Sequence, residues 1–304
     1  MSTTLQPDPG AIGGVAEPPF ARLPDPAAPF AARAARLRAL AAAGGPTAPY
    51  LGFLAALVGA QNAILPGLPE PARPEPAAVE RARTHAMPPL DRAMVTLDAP
   101  LAATLDALFD AAASIAKPDA AARALEAVTR ADKDARAFMI ANVLADSLPV
   151  ETLAEHLYVA AALQVHFARL AAGLDAKRLV PVGDGVCPAC GGPPVASMVV
   201  GWMGAEGARY CGCALCGTLW NYVRIKCVSC GSTKGIGYQE VEGGAGTVKA
   251  ETCDECRTYV KVLYQNKDPA LEPLADDAAS LGLDVLMSEG PYRRAAFNPF
   301  LLGY

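Results

Sequence analysis

Residue types that catalytic sites commonly use are scarce in this chain. It has only three histidines in 304 residues: His85, His156 and His166. His85 falls in a proline-rich linker, and the other two are ten positions apart, whereas a metal-binding pair on one helix is usually four apart. No P-loop, no Gly-x-Gly-x-x-Gly after a predicted strand and no Gly-x-Ser-x-Gly is present. We therefore predict that the chain is not an enzyme, and that its histidines are hydrogen-bonded or solvated.

Positive charge is also in short supply. Lysine and arginine number 26 against 31 acidic residues, which gives a net charge of −5 and a pI near 5.3. A protein that binds nucleic acid generally carries a basic patch or stripe. The charge balance therefore argues against a nucleic-acid partner.

A long hydrophobic run is missing too. The most apolar stretch, residues 50–60, is too short to cross a bilayer and runs directly into Gln61 and Asn62. The N-terminus has no basic region followed by an apolar core, so no secretory signal is predicted. We expect a cytoplasmic protein with no membrane contact, in which paired cysteines bind metal more often than they form disulfides.

The chain as far as Val180 is predicted to be helical after a flexible start. Residues 1–29 are rich in Pro and Gly and are predicted to form a disordered tail. Apolar periodicity then predicts an all-helical domain over 30–180, with a proline-rich linker at 66–89. The predicted helices cover 30–43, 49–65, 100–114, 118–129, 132–147 and 149–178. Short connections between the later helices favour antiparallel neighbours.

The pattern changes at Val180-Pro181. Strand-like runs at 195–203, 218–225, 235–241 and 258–264 alternate with turns rich in Gly and Cys. A last helix is predicted over 272–288, within a C-terminal segment of residues 265–304. The fold class is therefore α+β, with a helical N-terminal domain, a cysteine-rich β region over 181–264 and a C-terminal helix.

All nine cysteines lie between Cys187 and Cys256, and eight of them form four Cys-x-x-Cys pairs. The pairs are Cys187/Cys190, Cys213/Cys216, Cys227/Cys230 and Cys253/Cys256. Two residues between thiolates let one tight turn direct both sulfurs at a common centre, and two such turns complete an S4 site. One pair is weak evidence, but four in so short a segment strongly indicate two metal sites.

The pairs repeat at a constant offset along the chain. The cysteines at 187, 190, 213 and 216 have counterparts at 227, 230, 253 and 256, each 40 positions later. The repeat predicts two copies of one module, each consisting of a knuckle, a hairpin, a second knuckle and a strand. Arg209 and Lys249 occupy equivalent positions, which are predicted to lie in hairpin turns. Sequential pairing gives each module its own site, and cross-braced pairing, in which pairs one and three share a metal, is the alternative. Cys211 is predicted not to be a ligand, because Glu251 replaces it in the second copy.

Three functions are compatible with these pairs. Two structural metals could hold together a region too small for its own core. The centres could instead act in redox chemistry, sensing or metal delivery. Thioredoxin-like redox pairs are a weaker alternative, because such a pair normally opens a helix within a βαβ unit, and none is predicted here.

Longer motifs surround the cysteine pairs. They are CPACGGPP at 187–194, CALC at 213–216 with Trp220 and Val223-Arg224, KCVSCG at 226–231, and ETCDEC at 251–256 with Tyr259-Val260-Lys261. Further motifs follow in PLADD at 273–277, LGLDVL at 281–286, YRR at 292–294 and NPFLL at 298–302. With these motifs, the sequence from 181 to 302 resembles the formate dehydrogenase accessory protein family FdhE, although Cys211 departs from the pattern of the family.

The resemblance implies a cytoplasmic maturation factor with two tandem rubredoxin-like modules. It implies that the eight paired cysteines bind metal, that iron is the usual metal, and that the partner is the catalytic subunit of a molybdenum-dependent formate dehydrogenase. Zinc is the alternative metal, because S4 sites accept both. The alternative functions are a rubredoxin-like electron carrier and a zinc-ribbon-like nucleic-acid-binding protein.

Overall fold

The structure, a computed structural model, describes residues 17–301. Within this range the helices are α1 (Ala27–Ala42), α2 (Ala48–Ile64), α3 (Pro76–Thr84), α4 (Ala99–Ala113), α5 (Asp119–Arg130), α6 (Lys133–Leu144), α7 (Leu153–Ala172), α8 (Pro273–Ala279) and α9 (Leu281–Ser288). The strands are β1 (Ala21–Arg22), β2 (Pro194–Val199), β3 (Arg209–Cys213), β4 (Leu219–Asn221), β5 (Ile236–Gln239), β6 (Val248–Cys253), β7 (Thr258–Leu263) and β8 (Arg293–Arg294). The predicted α+β class is confirmed.

Helix α7 is the centre of the helical half. Its side chains are buried almost without interruption from His156 to Ala171, which is the pattern of a helix surrounded by others. Helices α2, α4, α5 and α6 pack around it. Frequent alanines, such as those at 160–162, let these neighbours approach closely.

Helix α2 and the turn that follows it, Ala48–Gly67, are long and apolar enough to cross a membrane by length and composition alone. In the structure α2 packs against α1, α4 and α7, and Leu54, Leu57 and Val58 are completely buried there. Core helices of globular proteins pass the same test. The packing is that of a core helix.

The strands form one sheet in the order β1-β4-β3-β2-β7-β6-β5, with β8 paired to β7. Strands β2–β4 form the first cysteine module and β5–β7 the second, each with antiparallel pairing. Between the modules, β2 and β7 pair in parallel, with Ser197 opposite Val262 and Met198 opposite Leu263. The repeat predicted the two modules, but it did not predict that they would share one sheet.

Two boundary predictions in the helical half need correction. The predicted tail over 1–29 is too long, because Ala21–Arg22 pairs with β4 and α1 begins at Ala27; residues 1–16 lie outside the described residues. The predicted linker at 66–89 contains α3, which begins at Pro76. Proline is tolerated at a first helical position because that amide needs no intrahelical partner.

Two further corrections concern the cysteine-rich and C-terminal regions. Arg209 and Lys249 lie within β3 and β6 rather than in hairpin turns. The predicted helix over 272–288 is two helices that meet at Ser280. The Lys261 ammonium donates to the carbonyls of Asp277 and Ser280 at this junction, which gives those carbonyls partners where the first helix ends.

Candidate metal centres

The eight paired cysteines form two separate groups. The first group is Cys187, Cys190, Cys213 and Cys216, and the second is Cys227, Cys230, Cys253 and Cys256. Within each group all four sulfurs lie within 4.8 Å of one another. The grouping is the sequential one, and the cross-braced alternative is wrong for this structure.

The sulfur separations fit a tetrahedral ion. The distance is 3.6 Å from Cys187 Sγ to Cys216 Sγ and 3.4 Å from Cys190 Sγ to Cys213 Sγ. In the second group, both Cys227–Cys256 and Cys230–Cys253 are 3.7 Å apart. Four sulfurs bound at about 2.3 Å around one Zn²⁺ would be about 3.8 Å apart, whereas disulfide sulfurs are about 2.05 Å apart. All nine cysteines are free thiols, and each group could hold one metal ion.

Left-handed backbone after the second cysteine shapes each knuckle. Gly191, Gly217 and Gly231 have φ of 75°, 74° and 73°, a conformation that glycine adopts without steric cost. In the fourth knuckle Arg257 takes the same place with φ of 54°. Its amide donates to the Cys253 carbonyl at 2.9 Å, as the Gly191 amide does to Cys187. The knuckle geometry is therefore kept without glycine.

The sulfurs receive polar support from their own knuckles. The amides of Leu215 and Cys216 donate to Cys213 Sγ at 3.4 Å. The Cys216 thiol donates to the Thr218 hydroxyl oxygen at 3.1 Å, and Thr258, its equivalent in the second module, lies 3.0 Å from Cys256 Sγ. The two amide donors favour the thiolate of Cys213, and the Thr258 hydroxyl favours that of Cys256; the thiolate is the form that binds metal.

The pKa values within each group are split. In the first group, burial raises the pKa of Cys187, and hydrogen bonding with Cys187 raises that of Cys190. Burial opposes ionisation of Cys213, but hydrogen bonds from its neighbours outweigh it and lower the pKa of this thiol. In the second group, burial is likewise outweighed by hydrogen bonds from Thr258 and nearby thiols, which lower the pKa of Cys256 to about 7. Each group therefore contains one thiol with a lowered pKa, Cys213 in the first and Cys256 in the second, and a bound cation would favour loss of the other protons.

The helical half places the positively charged side chain of Arg92 beside the first group. A methyl group at Gly192 would lie 3.4 Å from both Cys190 Sγ and Cys213 Sγ and 3.9 Å from an Arg92 nitrogen. Burial opposes the charge of Arg92, but other influences together outweigh it and raise the pKa of this guanidinium. They are the hydrogen bond to Asp146 and the negative charges of Asp146, Cys190 and Cys213. Arg92 is held by Asp146 through two contacts of 2.6 and 3.1 Å. Its charge can offset the excess negative charge of four thiolates around a divalent ion.

A buried ion pair that the sequence did not predict joins the two modules. Arg209 Nη2 donates to Glu251 Oε1 at 2.7 Å, and the two side chains are 1% and 5% exposed. Arg209 also donates to the Lys226 carbonyl, and the Tyr238 hydroxyl donates to Glu251 Oε2. Glu251 is the repeat equivalent of Cys211. The presence of a charged residue at this position in only one copy was the sequence signal for this contact.

The C-terminal runs of the sequence converge on a second buried charge network. Lys261 and Arg294 supply two positive charges, and Asp277 and Asp284 two negative ones. Asn298 donates to Asp277 and Tyr259 to Asp284, each at 2.8 Å. Burial opposes ionisation of Asp277, but coulombic attraction to Lys261 and Arg294 lowers the pKa of this carboxyl. The network fastens α8, α9 and β8 to β7.

The remaining candidate residues lie outside both groups. Cys211 is buried within β3, and burial raises the pKa of its thiol to about 12. His156 is buried and has partners at both ring nitrogens, Thr152 and Asn142. His166 is buried on α7, and no hydrogen-bond partner of its Nδ1 is found among the described residues. His85 is exposed at the end of α3.

Comparison with known proteins gives matches along the chain. Family models match residues 18–184 ("FdhE, N-terminal"), 186–224 ("FdhE, central domain") and 225–301 ("FdhE, C-terminal domain"). The chain is 56% identical over 303 residues to the "Protein FdhE homolog" of Rhizobium meliloti (strain 1021), covering 99% of this chain and 98% of that protein. It is 38% identical to the homolog of Stutzerimonas stutzeri (strain A1501), with coverage of 97% and 96%. The crystal structure of the FdhE protein from Pseudomonas aeruginosa superposes with a TM-score of 0.82 at 34% identity, covering 94% of this chain and 99% of that one.

Proposed function

This chain belongs to the FdhE family, and we propose that it is a non-catalytic accessory protein for formate dehydrogenase maturation in the cytoplasm. Its partner in this proposal is the catalytic subunit of a molybdenum-dependent formate dehydrogenase. The observation that carries the proposal is the convergence of eight thiols into two groups of four in a chain whose relatives carry the FdhE name.

In this proposal each group of four cysteines binds one metal ion. The donor set and the sulfur separations of 3.4–3.7 Å support it. Iron is our first choice and zinc the alternative, because four thiolates suit both. Iron would supply one-electron redox chemistry when bound, whereas zinc would be structural. Metal analysis with a visible absorption spectrum of the purified protein separates the two.

Exposed apolar side chains next to the second group support a docking role. Val223, Ile225 and Tyr238, here called the linker patch, are 58%, 66% and 48% exposed. Tyr238 reaches the segment that carries the other two, because its hydroxyl lies 3.5 Å from the Arg224 carbonyl. Apolar surface of this kind favours a protein partner when it is clustered. We propose that the catalytic subunit docks on the linker patch.

Co-purification with the catalytic subunit tests this proposal. The double variant Val223→Ser, Ile225→Ser is expected to recover much less subunit than the unmodified chain, while its metal content stays unchanged. Phe138→Ser is the matched control, since Phe138 is 65% exposed on α6 in the helical half. If the double variant retains full recovery, or the control loses as much, the docking surface lies elsewhere. If the intact chain recovers no subunit, the accessory function itself is wrong.

A rubredoxin-like electron carrier is the second candidate, because part of the second group reaches the surface. Cys230 is exposed and Cys256 is half-buried, so an electron would have a short path to a redox partner. A carrier must hold iron and cycle between two oxidation states. A colourless protein with stoichiometric zinc would eliminate this candidate.

A further inference from the structure

The two groups of cysteines differ sharply in how the rest of the chain covers them. All four cysteines of the first group are buried, with exposures of 0 or 1%. The helical half closes over this group: the Leu90 amide donates to the Ala189 carbonyl at 2.9 Å, and the Gln164 side chain donates to the Ala214 carbonyl at 2.8 Å. Both acceptors lie between the two cysteines of a knuckle. Reaching the first group therefore requires the helical half to move away.

The second group has a thinner cover. Cys230 is exposed and Cys256 is half-buried, and their neighbours Ser229, Asp254 and Glu255 are all exposed. Its nearest support comes from loop contacts. The Tyr222 hydroxyl donates to the Cys227 carbonyl at 2.9 Å, and Asp184 lies against Gly231. One sulfur of the second group can thus be reached from solvent without unfolding a helix.

We infer that the second group is a readily exchangeable metal site, whereas the first releases its ion only slowly. This inference rests on the proposed metal binding. An incoming thiol or chelator can bind the ion beside Cys230, and the displaced thiolate takes up a proton, so no oxidant or reductant is needed. At the first group the same substitution must wait for local opening, which slows it. The second group would then give its ion to, or take it from, ligands rich in thiols or nitrogen donors.

Metal release to a chromogenic chelator tests the difference. The full-length chain is loaded with two zinc ions, and an excess of 4-(2-pyridylazo)resorcinol is added. We expect one ion per chain to leave in a fast phase and the other at least ~10-fold more slowly, as expected when only one site needs local opening. Two bound ions released in a single phase would overturn this inference and leave metal binding intact. Failure to bind two ions would refute both proposals.

Equivalent cysteines of the repeat provide matched variants. In Cys230→Ser we expect the fast phase to vanish while the slow phase keeps its rate and amplitude. Cys190→Ser, the equivalent change in the first module, should remove the slow phase instead. If Cys230→Ser abolishes the slow phase, the assignment of the phases is wrong.

Thiol labelling of the unmodified chain avoids any problem of variant folding. N-ethylmaleimide adds to a thiolate, whose sulfur bonds to the alkene carbon while the adjacent carbon takes a proton. In the zinc-loaded chain, peptide mass mapping should find Cys230 and Cys256 labelled before any cysteine of the first group. Labelling of Cys187 or Cys190 as early as Cys230 would contradict the inference.

Discussion

Removing the Glu251 carboxylate is expected to destabilise the protein strongly, because it leaves Arg209 charged and buried. The guanidinium is 1% exposed and lies 2.7 Å from the carboxylate. Loss of one partner of a buried ion pair costs about 3–5 kcal/mol. Arg209 retains its bond to the Lys226 carbonyl at 3.1 Å and lies 5.9 Å from the Tyr222 ring centre. Glu251→Ala should therefore lower the free energy of unfolding by about 3 kcal/mol, the lower end of that range.

Urea unfolding, followed by tryptophan fluorescence at fixed zinc concentration, measures this loss. The double variant Arg209→Met, Glu251→Leu removes both charges and keeps apolar volume. It should lose less stability than Glu251→Ala alone, because no charge stays buried without a partner. A loss below ~1 kcal/mol in Glu251→Ala would refute this reasoning, as would a double variant that loses as much stability as Glu251→Ala or more.

The Lys249–Glu240 pair offers a matched control in the same module. Its atoms are 3.0 Å apart, but the side chains are 25% and 46% exposed. Exposed pairs contribute about 0–1 kcal/mol. Glu240→Ala should therefore change the free energy of unfolding far less than Glu251→Ala does.

Two further predictions concern the helical half and the fourth knuckle. Burial lowers the pKa of His166 below its usual 6.5. The unfolded chain therefore binds a proton at higher pH than the folded chain does. As a result, the free energy of unfolding falls as the pH drops below about 6.5. His166→Gln should weaken this fall between pH 7.5 and 5.5 in urea titrations, and an unchanged pH dependence would contradict it. Arg257→Gly should raise the free energy of unfolding by about 0.5–1 kcal/mol. Glycine removes the steric cost of left-handed backbone at φ of 54°, and the greater conformational entropy of glycine in the unfolded chain offsets part of this gain. A lower melting temperature for this variant would show that the Arg257 side chain stabilises more than its backbone costs.

The composition of the candidate sites could be predicted because it depends on local spacing. Two residues between cysteines define a knuckle, and the constant offset between the two copies indicates which knuckles belong to the same module. The same comparison placed Cys211 outside the sites, since Glu251 stands at its position in the second copy. Ligand groups of this kind are encoded within short segments.

The shared sheet and the short elements could not be predicted in the same way. The parallel pairing of β2 with β7 depends on docking between segments far apart in sequence, and alternation within a strand does not identify its neighbour. Strand β1 has only two residues within a proline-rich stretch, so it has no period to detect. At the break, the Ser280 carbonyl accepts a hydrogen bond from Lys261, a residue of another element. These features come from tertiary contacts that override local preference.

The parallel pairing of β2 with β7 also affects how the chain folds as it is made. A nascent chain emerges from the ribosome N-terminus first, so β2, β3 and β4 are available before β7 has been translated. During that interval one edge of β2 exposes amides and carbonyls without ladder partners, which can recruit a strand from another molecule. A transcript cut short before β7 would leave this edge open for good, and its product should aggregate. Translation of the second module therefore protects the first from self-association.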